Sequence, residues 1–243
     1  MLYAVCSVPL APIYKQPGFL GEMSSQLLFG EQVTVTDTSG KLWLKIDCNF
    51  DGYTGWITRH QVTEIDRPAT VEPLLVTELL ARIEYQGSAM HIPLGSDISS
   101  IDYRYIPAPP ATENESDTNK FVRYAMMLLN APYLWGGRSI LGIDCSGFVQ
   151  VVFKLCGIPL LRDAHEQATQ GEAVNFLQEV IPGDLAFFEN EDGLIIHVGM
   201  LLDTHSIIHA AGKVRIDKID NHGIVNAETG ERTHKLRIIK RMN

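Results

Sequence analysis

Between residues 120 and 157 the apolar side chains recur at helical spacing. NKFVRYAMMLLNA places apolar side chains at 121, 124, 125, 128 and 129, and CSGFVQVVFKLCG continues the spacing at Phe148, Val151, Val152 and Leu155. Both are patterns of helices that bury one face. Ser116 or Asp117 is placed to cap the first helix, and Gly157 and Pro159 end the second. RDAHEQATQG predicts a shorter polar helix. After the PGD turn, DLAFFE, LIIHVGMLL, SIIHAA and KLRIIKRM read as successive strands with hairpin-scale links. Helices first, then a run of strands, is an α+β order.

The chain before this region reads differently. Within residues 1–65, LLFGEQVTVTD, KLWLKIDCNF and GYTGWIT are short alternating or β-branched runs separated by Gly, Asp and Ser turns. Closely spaced short strands without a helical period predict a small all-β barrel. IDRPATVEP marks a boundary. Residues 66–110 hold two further strand-like pieces, VTELLARIEY and IDYRYIP, and end in the Pro-rich linker PAPPATENESD. The expected organisation is therefore a barrel at 1–65, a reduced β segment and linker at 66–110, and an α+β domain at 111–243.

Composition narrows the functional classes. The 243 residues carry a formal charge of −9 without a Lys/Arg cluster, which argues against a nucleic-acid partner. No apolar stretch approaches the roughly 18–20 residues of a membrane span. MLYAVCSVPLAPIYK lacks a cationic n-region and meets Pro9 and Pro12 early, so it is not a signal peptide. The location expected as written is the cytoplasm, or the periplasm for a sequence that has lost its leader. Cys6, Cys48, Cys145 and Cys156 show no CxxC pairing, so neither a disulfide framework nor a zinc ribbon is expected. Cys6, Cys48 and Cys156 read as small core residues.

Cys145 is the exception. It stands where the second helix begins, after Asp144 and before Ser146 and Gly147. A helix N-terminus and a nearby imidazolium both favour a thiolate, and an exposed, acidified thiol at that point is a nucleophile. His197 lies inside an apolar strand, where both ring nitrogens need partners, and His209 repeats the arrangement twelve residues on. If a hairpin joins the two runs, one imidazole can act as base and the other can orient it. A zinc site built from Cys145, His197 and His209 fits no usual ligand spacing.

PYLWGG, DCSGF, PGDLAFF, HVGM and HAAG, in that order, resemble the NlpC family of papain-like cysteine peptidases that cut cell-wall peptides. The resemblance covers nearly all of 120–240. It implies a papain-like core with Cys145 as nucleophile, His197 as general base and His209 as the orienting residue. Tyr133, in PYLWGG, matches a family tyrosine beside the nucleophile that helps bind the oxyanion. His205, in the turn-like DTHS, is expected to face solvent, and His165 stays outside the set. QLLFGEQVTV and GYTGWI resemble the bacterial SH3-like domains found before NlpC-type domains, in the subgroup that trims muropeptides at the γ-D-glutamyl–diamino acid bond.

That resemblance implies that Glu31, in FGEQ, and Tyr53, in DGYTGW, receive the free amino group of the substrate's L-alanine in a cleft closed by the first SH3-like domain. A solvent-exposed turn carboxylate and an edge-strand aromatic are the plain alternatives for these two residues. It also implies that Asp144 and Ser146 hold the L-Ala end, although Asp144 could simply cap the helix. Asp163 lies near a polar subsite position, and Ala164 stands where some relatives have serine. The implied protein is a monomer without metal or organic cofactor, acting on murein peptides. The rival readings are an endopeptidase on intact peptidoglycan, amidase or transferase chemistry on the same scaffold, and a non-catalytic cell-wall-binding protein.

Overall fold

The computed structural model describes residues 2–68, 72–99, 104–105 and 117–243. The chain divides into two compact units, Met1–Glu113 with Trp135–Ile140, and Asn114–Leu134 with Leu141–Asn243. Ser116, most of IDYRYIP and the linker at 107–116 lie outside the described residues.

The first unit is all β. Its strands are β1 (Leu2–Cys6), β2 (Leu10–Tyr14), β3 (Met23–Leu28), β4 (Gln32–Ser39), β5 (Trp43–Cys48), β6 (Thr54–Thr58) and β7 (Val62–Ile65). They form one antiparallel sheet in the order β3-β2-β6-β5-β4-β1-β7. Period-two alternation sets which face is inward. In β5, Leu44, Ile46 and Cys48 are buried while Lys45 faces solvent, and Ala11 and Ile13 of β2 meet them in a common core. Cys6 and Cys48 are core residues, as expected, and burial raises the Cys6 thiol to about 12. β8 (Leu80–Tyr85) and β9 (Ser88–Pro93) make a hairpin, with β10 (Arg104–Tyr105) pairing on β8. Its apolar face buries Ala81, Ile83 and Ile92 with Phe29, Val76 and Ile98.

A buried ion pair fastens this unit. Glu31 is 5% exposed, and its carboxylate takes Arg138 Nη1 at 2.8 Å and Nη2 at 2.9 Å. Arg138 also donates to the Gln26 carbonyl, and its own N–H donates to Gln26 Oε1. Leu28 N–H donates to Glu31 Oε2. Glu31 is therefore not a solvent-exposed turn carboxylate. It holds the 135–140 segment, including β11 (Arg138–Ser139), within the first unit.

The second unit is α+β. α1 (Asp117–Met127), β12 (Gly142–Ile143), α2 (Cys145–Leu155) and α3 (Ala164–Gln167) precede the strands. α2 ends in a Schellman motif: Gly157 N–H bonds Lys154 O and Ile158 N–H bonds Phe153 O, with Gly157 at φ +80°. Cys156 sits half-buried at that helix end instead of in the core. β13 (Glu172–Val174), β14 (Leu185–Glu189), β15 (Ile195–Leu201), β16 (Ser206–Ala211), β17 (Lys213–Asp220), β18 (Gly223–Val225) and β19 (Arg232–Arg241) are ordered β13-β19-β14-β15-β16-β17-β18. β19 also pairs with β18, so the sheet closes on itself, and β15 and β16 are each paired on both sides. α2 packs on β15 and β16 and on α1, where Phe121 meets Phe153 at 4.6 Å between ring centroids. Among the described residues no helix is long and apolar enough to cross a membrane.

Removing one partner of a buried ion pair leaves an uncompensated charge. Glu31→Ala should therefore lower the first unit's stability by about 3–5 kcal/mol. Urea unfolding followed by tryptophan fluorescence measures this; a loss below about 1 kcal/mol would mean that Arg138 finds water or another acceptor.

Candidate active site

Cys145 is the first residue of α2, and Asp144 is its N-cap. Asp144 Oδ1 accepts from Gly147 N–H at 2.7 Å. The same carboxylate is gripped by Arg162, with Nη2–Oδ2 at 2.6 Å and Nη1–Oδ1 at 3.1 Å. Arg162 Nη1 also donates to Ser146 Oγ at 2.8 Å, and Arg162 is 1% exposed. The capping role of Asp144 is thus realised, and the capping carboxylate is further neutralised by a buried guanidinium. Gln167 of α3 donates to the Ser146 carbonyl, which ties α3 to the start of α2.

The thiol departs from expectation. Cys145 is only 6% exposed, and burial pushes it up to about 12. The negative charge of Asp144 adds to that rise, whereas backbone hydrogen bonding at Val198 and Ser146 and the Arg162 charge oppose it. The helix start does not acidify this cysteine, because its cap is an anion and its surroundings are dry. A neutral resting thiol needs a base to take its proton.

The strands that follow carry two candidate bases, His197 on β15 and His209 on β16. The predicted hairpin exists: β15 and β16 are antiparallel, with His209 opposite Gly199, two residues along from His197 on the same face. His197 Nε2 lies 2.9 Å from His209 Nδ1, and both rings are buried. Gly199 makes the approach possible, since an added Cβ would lie 2.8 Å from His209 Cβ. Burial first, then the charges of His234 and His209, hold the His197 pKa well below 6.5, which keeps the imidazole neutral. Val198, whose backbone meets Cys145, follows His197 directly.

Tyr133 is anchored to both halves of this arrangement. Its N–H donates to the Gly212 carbonyl just after β16, and it bridges to Ile143, two residues before Cys145. Burial, then the charges of Cys145 and Asp144, raise its phenol to about 12, so its hydroxyl remains a hydrogen-bond donor. His205 is exposed in a turn capped by Asp203, as expected, and His165 is exposed on α3. Asp163 caps α3. Glu31 and Tyr53 belong to the first unit, where Glu31 is held by Arg138 and Tyr53 packs against the barrel core.

Residues 130–233 match the NlpC/P60 family, and residues 13–62 match the bacterial dipeptidyl-peptidase Sh3 domain. Residues 130–233 form an NlpC/P60 cysteine-peptidase domain. The gamma-D-glutamyl-L-lysine dipeptidyl-peptidase of Bacillus cereus (strain ATCC 10987 / NRS 248) is 29% identical over 261 residues, spanning 88% of this chain and 75% of that protein. A protein of the same name from Bacillus subtilis (strain 168) is 28% identical over 215 residues, spanning 77% and 72%. The crystal structure of an NlpC/P60 family protein from Bacillus cereus ATCC 10987 shares the fold, with TM-score 0.79 and 22% identity over 98% of this chain and 99% of that one.

Three residues of this NlpC/P60 site escaped the sequence reading. Arg162 stands in RDAHEQATQG, which reads in sequence only as a shorter polar helix. His234 stacks on His197 with ring centroids 4.2 Å apart, and it lies just before the strand predicted at KLRIIKRM. Asp217, 3% exposed, meets His209 Nε2 with Oδ2 at 3.0 Å, and lies on β17, a strand the sequence reading omitted. The signal was present: KVRIDKID alternates, and it places an aspartate at an inward position.

Two outcomes follow from this geometry. Gly199→Ala should drive His209 from His197 and cost about 10²-fold in kcat with unchanged circular dichroism, as misplacement of a catalytic group by about 1 Å does; full activity would show that the contact is dispensable. In the unfolded chain His197 and His234 take up protons near pH 6.5, whereas in the fold His234 does so near 4 and His197 well below 6.5. Their contribution to stability is therefore complete above pH 6.5 and is lost as pH falls towards 4. Each contributes a slope of about 1.4 kcal/mol per pH unit. Urea titrations across this window should show His234→Phe, which keeps a stacked ring, with a slope shallower by one proton. An unchanged slope would mean that His234 titrates normally.

Proposed function

We propose that this chain hydrolyses the γ-D-glutamyl–diamino acid bond of peptides released from the cell wall, cutting after a free N-terminal L-Ala-γ-D-Glu. The observation that carries the reading is the buried Cys145 at the start of α2, beside the strand whose His197 is hydrogen-bonded to His209. The bond class is supported by relatives named gamma-D-glutamyl-L-lysine dipeptidyl-peptidase that match through both the SH3 and the peptidase segments.

In this mechanism His197 takes the Cys145 proton and the thiolate attacks the γ-carbonyl. The Cys145 N–H, unused within the first turn of the helix, and the Tyr133 hydroxyl donate to the oxyanion. His197 passes its proton to the leaving amine, and a water activated by the same imidazole hydrolyses the thioester. Ser146 and Asp144 line the L-Ala end in this proposal, with Arg162 setting their orientation. The resemblance of FGEQ and DGYTGW assigns the ammonium to Glu31 and Tyr53, and a carboxylate already paired to Arg138 is fixed in place for such a contact.

The test uses L-Ala-γ-D-Glu linked to L-lysine or to diaminopimelate, each free or N-acetylated at alanine, with products read by mass spectrometry and Cys145→Ala as control. Dipeptide released from the free forms alone is the expected result. Equal cleavage of the acetylated forms would remove the amine selection and leave the peptidase. Release that persists in Cys145→Ala would overturn the mechanism.

A further inference from the structure

The polar chain that begins at His197 does not stop at His209. Asp217 Oδ2 is 3.0 Å from His209 Nε2, and the rest of this carboxylate meets only donors. Arg215 Nη2 lies 3.0 Å from Oδ1, Arg215 Nε 2.8 Å from Oδ2, and Ala227 N–H donates to Oδ1 at 2.8 Å. Arg215 is itself held by Asn226 Oδ1 and Glu228. With a backbone N–H and a guanidinium fixed on it, Asp217 is a carboxylate that can only accept.

A carboxylate oxygen at 3.0 Å requires a hydrogen on His209 Nε2. With one proton per ring, His209 Nδ1 is then a bare lone pair, and His197 Nε2, 2.9 Å away, must be the donor. The remaining nitrogen of His197, Nδ1, is left without a proton. We infer that Asp217 is a positioning residue of the catalytic pair, fixing the proton of His209 on Nε2 and so leaving His197 Nδ1 bare to receive the thiol proton. The inference rests on the reading that His197 is the base for Cys145. Among the described residues the charged or titratable groups shown against His197 are His209 on β16 and His234 on β19, with Arg215 and Asp217 reaching it only through His209, while Cys145 at the start of α2 meets the backbone of the neighbouring Val198.

Asp217→Asn tests this with little change of shape. The backbone N–H of Ala227 holds the amide oxygen at the Oδ1 position, so the amide NH₂ faces His209 Nε2. His209 must then move its proton to Nδ1, His197 must accept at Nε2, and its proton moves to Nδ1, where a base is needed. A fall of about 10²–10⁴-fold in kcat, with KM held within about threefold, is expected on the free tripeptide, as for other orienting carboxylates. ¹⁵N shifts of the imidazoles should show His209 protonated on Nε2 in the wild-type protein and on Nδ1 in the variant. In a His209→Asn background, where the Asn amide oxygen accepts from His197 directly, Asp217→Asn should cost no more than about threefold.

Unchanged kcat in Asp217→Asn overturns the inference, as does lost activity with the His209 proton still on Nε2, or an equal loss in the His209→Asn background. If Asp217→Asn fails to fold, the wild-type ¹⁵N spectrum still decides, because a His209 protonated on Nδ1 contradicts the relay. Should His197→Ala keep wild-type turnover while Cys145→Ala is inactive, the base assignment itself fails and the inference with it. Loss of turnover in His197→Ala beside an indifferent Asp217→Asn sinks the inference alone.

Discussion

Two imidazoles facing each other at 2.9 Å inside a dry sheet can coexist only if one donates and the other accepts. Much of the second unit serves that condition. β15 and β16 are each paired on both sides within the closed sheet, and both histidines are buried. Gly199 removes the side chain that would keep the rings apart. His234 covers one face of His197 and, with burial, makes the protonated form unfavourable. Each feature keeps His197 neutral and aligned, the state the proposed base needs before it acts.

The thiol is set by the same dryness. A helix start with an Asp cap offers two opposing fields at Cys145, the positive end of the helix and the negative carboxylate, and burial decides between them for the neutral thiol. Arg162 matters here because it returns a positive charge to the Asp144 side of the sulfur while satisfying a carboxylate that would otherwise be buried alone. In the proposed mechanism the thiolate therefore forms by proton transfer to His197 and does not stand in the resting site.

The order of helices and strands, the barrel at the N-terminus, the hairpin bearing both histidines and the cap before Cys145 were all legible, because each is written in a local period or a turn. What escaped was long-range. KVRIDKID has only three apolar residues in eight and was read past, yet it is the strand that brings Asp217 to His209. Nothing in RDAHEQ, which reads as a polar helix, reveals that Arg162 lies across from Asp144. The thiol was expected to be exposed because a helix start is often a surface feature. Here α2 is buried from Cys145 to Lys154, packed between α1 and the sheet.

The segment between Tyr133 and Cys145 shows why a motif need not be a structural unit. PYLWGG is contiguous in sequence, yet Tyr133 and Leu134 belong with the peptidase fold while Trp135–Ile140 belong with the barrel. Arg138 is what assigns them there: a guanidinium buried with two carboxylate oxygens and a backbone carbonyl cannot leave without stranding charge on both sides. Trp135 adds a hydrogen bond to Glu22, which Lys15 also holds. Tyr133 is in turn pinned by Gly212 and Ile143, so the chain is fixed on both sides of the crossing. In the proposed mechanism the Tyr133 hydroxyl meets a transient oxyanion, and that restraint leaves it less freedom to lose in the transition state.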